Sequence, residues 1–415
     1  MSDGARRVQR LYLLLTLLTT LAASFIWGVN TLFLLDAGLS NTEAFAANAF
    51  YTLGMVIFEV PTGVVADLRG RRFSFVLGTA MLLASTLLYL LMWGVRAPLW
   101  GWAIASVLIG LGFTFFSGAT EAWLVDALRA NGYTGGLEGV FGRAQVVGGV
   151  AMLAGSTLGG LVAQLSNLGI PYLVRAGLLG VTMAVALVFM RDDGFTPQQR
   201  RPLEAVREVL AGAVDGGLRN RPVRWLMLAA PFTAGTGVYV FYALQPLLLE
   251  LYGDPNAYGI AGLATALVAA AQIAGGLLVP RLGRVFRRRT DALLLAGVLN
   301  VALLAVVGVA TSFWLVLAAV AAWSMATALS APMRQSFINA AIPSAQRATV
   351  LSFDSLMGSA GGVVFQPALG RVADVAGYQV SLLVSAGVQA LALPFVLLAR
   401  REKAPGDPLG QEAAA

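Results

Sequence analysis

Along the 415 residues, apolar runs of about twenty positions recur between short polar breaks, which is the length a bilayer-spanning helix requires. Reading the runs against charges and Gly/Pro breaks predicts twelve helices. They cover residues 11–35, 44–66, 73–94, 99–123, 141–164, 171–190, 224–250, 258–280, 291–311, 313–337, 349–370 and 379–399. The tract 291–337 is the hardest to divide. Its 47 residues are twice the length of one span, and Thr311-Ser312 is the polar break chosen.

One long hydrophilic interval, residues 191–223, follows the sixth run and begins "RDDGFTPQQRRPLEAVREVL". Leu203, Val206, Leu210 and Val214 recur there at helical spacing with charges opposite, predicting a short amphipathic helix on the inner membrane surface. The expected organisation is a first bundle over 1–190, a linker over 191–223, a second bundle over 224–402 and a small polar, disordered tail over 403–415.

Composition sharpens this picture. Hydrophobic residues make up 58% of the chain and charged residues 12%, about half the usual share for a soluble domain. Such a chain cannot cover itself for water, so its solvent is lipid. The net charge of +7 does not point to nucleic acid, because the arginines sit in short clusters between apolar runs. Twelve spans place both termini on one side. If that side is the cytoplasm, 25 of the 28 Lys+Arg lie in cytoplasmic segments or helix ends, leaving Arg96, Arg175 and Arg371 outside. The N-terminal "MSDGARRVQR" and its apolar run read as a retained first span rather than a cleaved signal peptide. With no cysteine, no histidine and the single lysine Lys403, disulfides, thiol chemistry and histidine-held metals are excluded. No G-x-S-x-G, P-loop or metal-ligand cluster is present, so neither an enzyme nor a cofactor is expected.

The stretch "GVVADLRGRR", Gly63 to Arg72, ends the second run with four charges in six residues, and "GLLVPRLGRV", Gly276 to Val285, echoes it. A shift of 213 residues places Gly63 on Gly276, Gly70 on Gly283, Arg71 on Arg284, Glu59 on Gln272, Glu121 on Arg334 and Asp126 on Asn339. An even number of spans separates the copies. The halves therefore share a topology and should be related by an axis along the membrane normal, as in two-bundle secondary transporters.

The first stretch resembles motif A of the major facilitator superfamily, roughly G-x-L-A-D-r-x-G-r-r between spans two and three. Gly63, Ala66, Asp67, Gly70, Arg71 and Arg72 match, while Val65 stands for leucine and Leu68 for a basic residue. The resemblance covers the whole chain. It implies an all-α integral membrane protein of twelve helices in two pseudo-symmetric six-helix bundles. It also assigns Asp67 and Arg71 to a gating latch that ties the second helix to the neighbouring bundle. Plain anchoring of a helix end is the alternative reading of these charges. In the fifth span, "GRAQVVGGVAMLAGSTLGG" resembles the antiporter motif C of the same superfamily through Gly142, Gly155, Gly159 and Gly160, with Ala151 replacing a glycine and Ser156 the proline. Close helix packing explains Gly155 and Gly159 equally well.

Ionisable residues inside spans cost at least ~2.5–3.5 kcal/mol and so suggest function. Glu59 lies eight residues before Asp67, roughly 12 Å deep, beside Pro61. A carboxyl buried at that depth could carry a proton near neutral pH. Glu59, Glu121 and Asp354 are the candidate proton or substrate site, and Asp36 ends the first span. Asp126, Arg143, Arg334 and Arg347 are expected to pair near the inner interface; Asp126 also resembles the superfamily's fourth-span acid that joins the motif A network. Trp27, Asn30, Tyr51, Tyr239, Tyr242 and Gln245 could line a cavity or merely pack.

These features predict a monomeric, proton-coupled secondary transporter in a bacterial inner membrane, similar to drug/proton antiporters and exporting hydrophobic or cationic small molecules. Uptake of a small polar or anionic solute, with Arg143 or Arg334 as counter-charge, is the alternative. A non-transporting receptor or scaffold is the remote one.

Overall fold

The computed structural model describes residues 2–197, 207, 213–342, 347–404 and 406–409. Among them, the chain is helical almost throughout. The first half comprises α1 (Asp3–Trp27), α2 (Asn30–Asp36), α3 (Asn41–Arg69), α4 (Arg71–Gly94), α5 (Leu99–Thr114), α6 (Ala119–Ala130), α7 (Glu138–Leu165) and α8 (Ile170–Phe189). A π-helical turn at Ala213–Leu218 precedes α9 (Arg221–Tyr252), α10 (Tyr258–Val285), α11 (Arg289–Val309), α12 (Phe313–Ala340), α13 (Arg347–Ala390) and α14 (Ala392–Arg401).

Eleven described stretches are long and apolar enough to cross a membrane. The last, Val350–Arg401, has 52 residues, more than twice what one crossing needs. Gly377, with φ 84° and ψ 166°, breaks α13 and turns the chain back, so this stretch holds two crossings. The total is twelve, as expected. The tract 291–337 divides between Val309 and Phe313, around the Thr311-Ser312 break.

Three details differ from expectation. α1 starts eight residues before the predicted 11 and stops at Trp27, with α2 resuming at Asn30. The fourth span is interrupted between Thr114 and Ala119, where Gly118 takes φ 66°. Of the predicted disordered tail, Ala404 and Asp407 are buried at 4% and 2% exposure. Of the amphipathic helix expected around residues 203–214, only residues 207, 213 and 214 are among the described ones.

The element order repeats. The 213-residue offset carries Leu99, the start of α5, to Ser312, beside Phe313, where α12 starts. It also carries exposed Trp100 to Phe313, next to exposed Trp314, so both repeats begin their fourth span with a tryptophan suited to a membrane interface.

The residues form two compact units. One holds Met1–Leu39, Phe50–Ala205 and Asn256–Ala266; the other holds Ser40–Ala49, Val206–Pro255 and Leu267–Ala415. The halves of the sequence are thus nearly intact, with the starts of α3 and α10 exchanged. In the first unit, Phe75, Trp123, Leu124, Leu128, Val140 and Met190 form a buried cluster. Val223, Met227, Phe337, Ile338 and Val350 do so in the second. In lipid, small residues supply the close contacts instead of hydrophobic exclusion. A Cβ at Gly155 would strike Ser24, and one at Gly159 would strike the Phe25 carbonyl. These two glycines therefore seat α7 against α1. A Cβ at Gly160 would meet the Tyr258 carbonyl and Gly262 of α10. At Gly142 nothing lies within 4 Å.

Candidate functional site

The motif A segment forms the sharp turn from α3 into α4. Gly70 sits at φ 102°, where a side chain would be strained, and a Cβ there would also strike the Asp192 carboxylate. Asp67 pairs with Arg71 at 2.7 Å across the turn. Asp192, just past α8, accepts the Arg72 amide at 2.8 Å and so caps α4 from outside its own helix. Arg72 Nη2 donates to the Leu187 carbonyl at 2.6 Å, and the Arg71 guanidinium lies 5.8 Å from the Phe195 ring centroid. Trp123 of α6 holds the same segment by donating to the Arg191 carbonyl at 2.7 Å. The motif is thus locked to residues 187–195 of its own unit. Gly63, by contrast, has nothing within 4 Å of a Cβ position, and neither has its repeat partner Gly276.

The second repeat carries the same device at the start of α11. Asp407 accepts the Thr290 amide and hydroxyl, each at 2.9 Å, and the Arg289 amide donates to the Asp407 carbonyl at 2.8 Å. Arg289 Nη1 also reaches the carbonyls of Gly406 and Pro408. This explains why the tail is folded there: its carboxylate satisfies a helix N-terminus. Asp192 and Asp407 each follow the sixth span of a repeat. Sequence reading missed both, although acids follow the terminal span of each half, Asp192 and Asp193 in the first and Glu402 and Asp407 in the second.

Glu59 occupies α3 one helical turn before Gly63. It is half-buried rather than deeply buried, and the Ser117 hydroxyl donates to its Oε1 at 2.6 Å. Ser117 lies in the interruption between α5 and α6. A straight fourth span would carry its position differently, so the break creates this contact. The α3 helix passes through Pro61 unbroken, with Thr62 Oγ1 donating to the carbonyls of Phe58, at 2.8 Å, and Thr114, at 3.2 Å. Glu121 is exposed in the first turn of α6, where the helix dipole favours a carboxylate. Glu59 thus meets the interrupted span through Ser117, and Glu121 lies within that span.

The remaining candidates separate. Arg334 and Asp354 form a two-pronged ion pair, with Nη2 to Oδ1 at 2.5 Å and Nη1 to Oδ2, and Nη2 also donates to the Leu226 carbonyl at 3.0 Å. Arg347 donates instead to the Asn339 carbonyl at 3.1 Å. Arg143 is exposed on α7, and Asp126 is half-buried on α6. Asn30, Tyr239 and Gln245 are buried at 7%, 0% and 2% exposure, so they pack rather than line an open cavity. Asn30 accepts from the Tyr172 hydroxyl at 2.9 Å, within an aromatic cluster of Phe33, Tyr89, Trp93 and Trp102. Asp36, which ends α2, accepts the Trp93 indole N–H at 2.7 Å.

Twelve apolar crossings built as a repeated six-span unit, with charged turns at matching helix ends, define a multi-pass membrane transporter. The chain belongs to the Major Facilitator Superfamily, whose family model matches residues 12–297 and 256–415. It is similar to an uncharacterized MFS-type transporter of Methanocaldococcus jannaschii, with 21% identity over 366 residues covering 87% of this chain and 90% of the relative. Among solved structures, the nucleoside transporter NupG matches with a TM-score of 0.78 at 11% identity, over 96% of this chain and 99% of that one. The POT family transporter PepTSo matches with a TM-score of 0.75 at 13% identity, over 97% and 99%. The human organic anion transporter MFSD10 matches with a TM-score of 0.63 at 16% identity, over 95% and 100%. At such identities the likeness to the solved structures is one of fold.

Proposed function

We propose that this transporter exports hydrophobic or cationic small molecules in exchange for protons, by rocker-switch alternating access in a bacterial inner membrane. Both termini face the cytoplasm on this reading, as the distribution of its arginines suggests. The observation that carries it is Glu59: a half-buried carboxylate inside a span, hydrogen-bonded to Ser117 at the break of the next-but-one span. A group placed there can exchange a proton with water yet sense the rearrangement of a discontinuous helix. Glu121 stands by as a second carboxylate. Asp67 and Arg71 act as a latch, their pair breaking and re-forming as the states interchange.

The second reading is uptake of a small polar or anionic solute. It is favoured by the fold neighbours that are a nucleoside transporter and an organic anion transporter. Against it, the charge of Arg334 is matched by Asp354 on two oxygens, so that arginine is a poor anion site.

Everted membrane vesicles with an imposed pH gradient separate the readings, using ethidium as a hydrophobic cationic probe. Export predicts gradient-driven ethidium accumulation by the parent that an uncoupler abolishes. Glu59→Gln, which mimics the protonated acid, should still bind ethidium but lose the dependence on the gradient. Unchanged gradient dependence in Glu59→Gln would move the coupling role elsewhere, with Glu121 the next position to test.

A further inference from the structure

The two repeats fill one set of matching positions in opposite ways. The 213-residue offset carries Glu121 to Arg334, Phe141 to Asp354 and Leu13 to Leu226. In the second unit these three positions close on one another. Asp354 takes both prongs of the Arg334 guanidinium, and the Leu226 carbonyl takes a third hydrogen bond. In the first unit the same positions hold a carboxylate, a phenyl ring and an apolar side chain. An acid stands where the arginine would, and a phenylalanine occupies the place of its counter-ion.

The surroundings of Glu121 fit that exchange. It lies nine residues before Ala130, the end of α6, which is about 13 Å of helix. A charge at that depth faces protein or water rather than lipid. Among the described residues, no ion pair includes Glu121. Tyr12 of α1, next to Leu13, lies within electrostatic reach of Glu121, and its ring meets that of Phe141 nearly at right angles, 6.5 Å between centroids. Phe141 is half-buried and Glu121 exposed, so a ligand can reach both. Gly118, one turn before Glu121, has nothing within 4 Å of a Cβ position, which leaves room beside the carboxylate. Arg143, two residues beyond Phe141, is about 200° round α7 from it and does not share its face.

We propose that Glu121 and Phe141 form the headgroup site for an organic cation, with Tyr12 bracing the ring. The ligand brings the positive charge that the first unit lacks: it pairs with Glu121 and rests on the phenyl ring, whose π-system attracts cations. The second unit has no such vacancy, because Arg334 and Asp354 satisfy each other. The proposal rests on the cationic-substrate reading above and leaves the proton to Glu59.

Purified protein in detergent micelles is titrated calorimetrically with tetraphenylphosphonium, a permanent cation, and with triphenylphosphine oxide, an uncharged relative. Glu121→Gln should bind the cation about tenfold or more weakly, through loss of a charge-assisted contact. Phe141→Leu keeps an apolar side chain and should bind it about threefold to tenfold more weakly, through loss of the cation–π contact. The parent should prefer the cation to the oxide by about tenfold or more, and Glu121→Gln should close that gap. Phe141→Arg builds in the missing counter-charge, on the pattern of Arg334 and Asp354, and should abolish cation binding.

Absence of cation binding by the folded parent would overturn the proposal. So would parent affinity for the cation in folded Glu121→Gln or Phe141→Leu. If Phe141→Arg yields no folded protein, the two milder variants carry the test. Failure of the export reading shows elsewhere, as absent gradient-driven ethidium flux by the parent, and leaves these affinities readable.

Discussion

Removing Asp354 should strand Arg334, and the structure lets the cost be worked out. The Asp354 side chain is 10% exposed and that of Arg334 26%, and two parallel hydrogen bonds join them. Hydrogen bonds to charged groups contribute about 1.5–3 kcal/mol each. Breaking a fully buried pair by deleting one partner costs about 3–5 kcal/mol. The quarter exposure of Arg334 lets water recover part of that, and the Leu226 carbonyl still accepts from Nη2. Asp354→Leu should therefore lose about 2–3 kcal/mol, and Arg334→Met, which strands the more buried carboxylate, at least as much. Replacing both residues, as Arg334→Met with Asp354→Leu, removes the desolvated charges together and should fall within about 1 kcal/mol of the parent. Unfolding in mixed micelles of rising SDS fraction, followed by tryptophan fluorescence, gives all four corners of the cycle. Singles that each lose about 2–3 kcal/mol and a double within about 1 kcal/mol make the coupling energy about 3–5 kcal/mol. A double variant as destabilised as the two singles summed would refute the reasoning, because it would show that neither charge depends on the other.

Three further outcomes are expected. Gly159→Leu should lose about 3 kcal/mol or more, or fail to fold, because a side chain there strikes the Phe25 backbone, whereas Gly63→Ala, with open space, should melt no lower than the parent. Asp407→Ala should lose about 1–2 kcal/mol and speed hydrogen exchange around Thr290, and Asp192→Ala should do the same around Arg72, each without affecting the other site. Asp67→Asn and Arg71→Ala should lower transport strongly in reconstituted vesicles while costing about 0–1 kcal/mol of stability; full transport by both would refute the latch.

The number of spans was legible in the chain because each crossing must satisfy its own backbone within one apolar run, whatever its neighbours do. Even the tract 291–337 divides near Thr311-Ser312, where the polarity dips. The repeat was legible for a related reason: a shared topology leaves glycines and charges at matching helix ends. The Gly70 turn could be read as well, since a glycine followed by arginines after a long apolar run marks where a helix must stop and reverse.

Partner choice was not legible. The stretch from Gly112 to Thr120 carries no charge, so the interruption that brings Ser117 to Glu59 was read as part of one continuous span. Glu59 was expected to be deeply buried, and that break leaves it half-buried beside a hydroxyl. Ala404 to Asp407 has the composition of a loose tail, yet Asp407 is buried because the amides of α11 have no partner of their own. Asp374 and Asn41 are separated by 333 residues, and nothing local to either announces that the carboxylate accepts the Asn41 amide. Hydropathy sums over consecutive residues, so sequence determined how many crossings there are and roughly where each one falls. Which side chain answers an unpaired amide or a lone charge depends on helices far apart in the chain, and only their packing decided it.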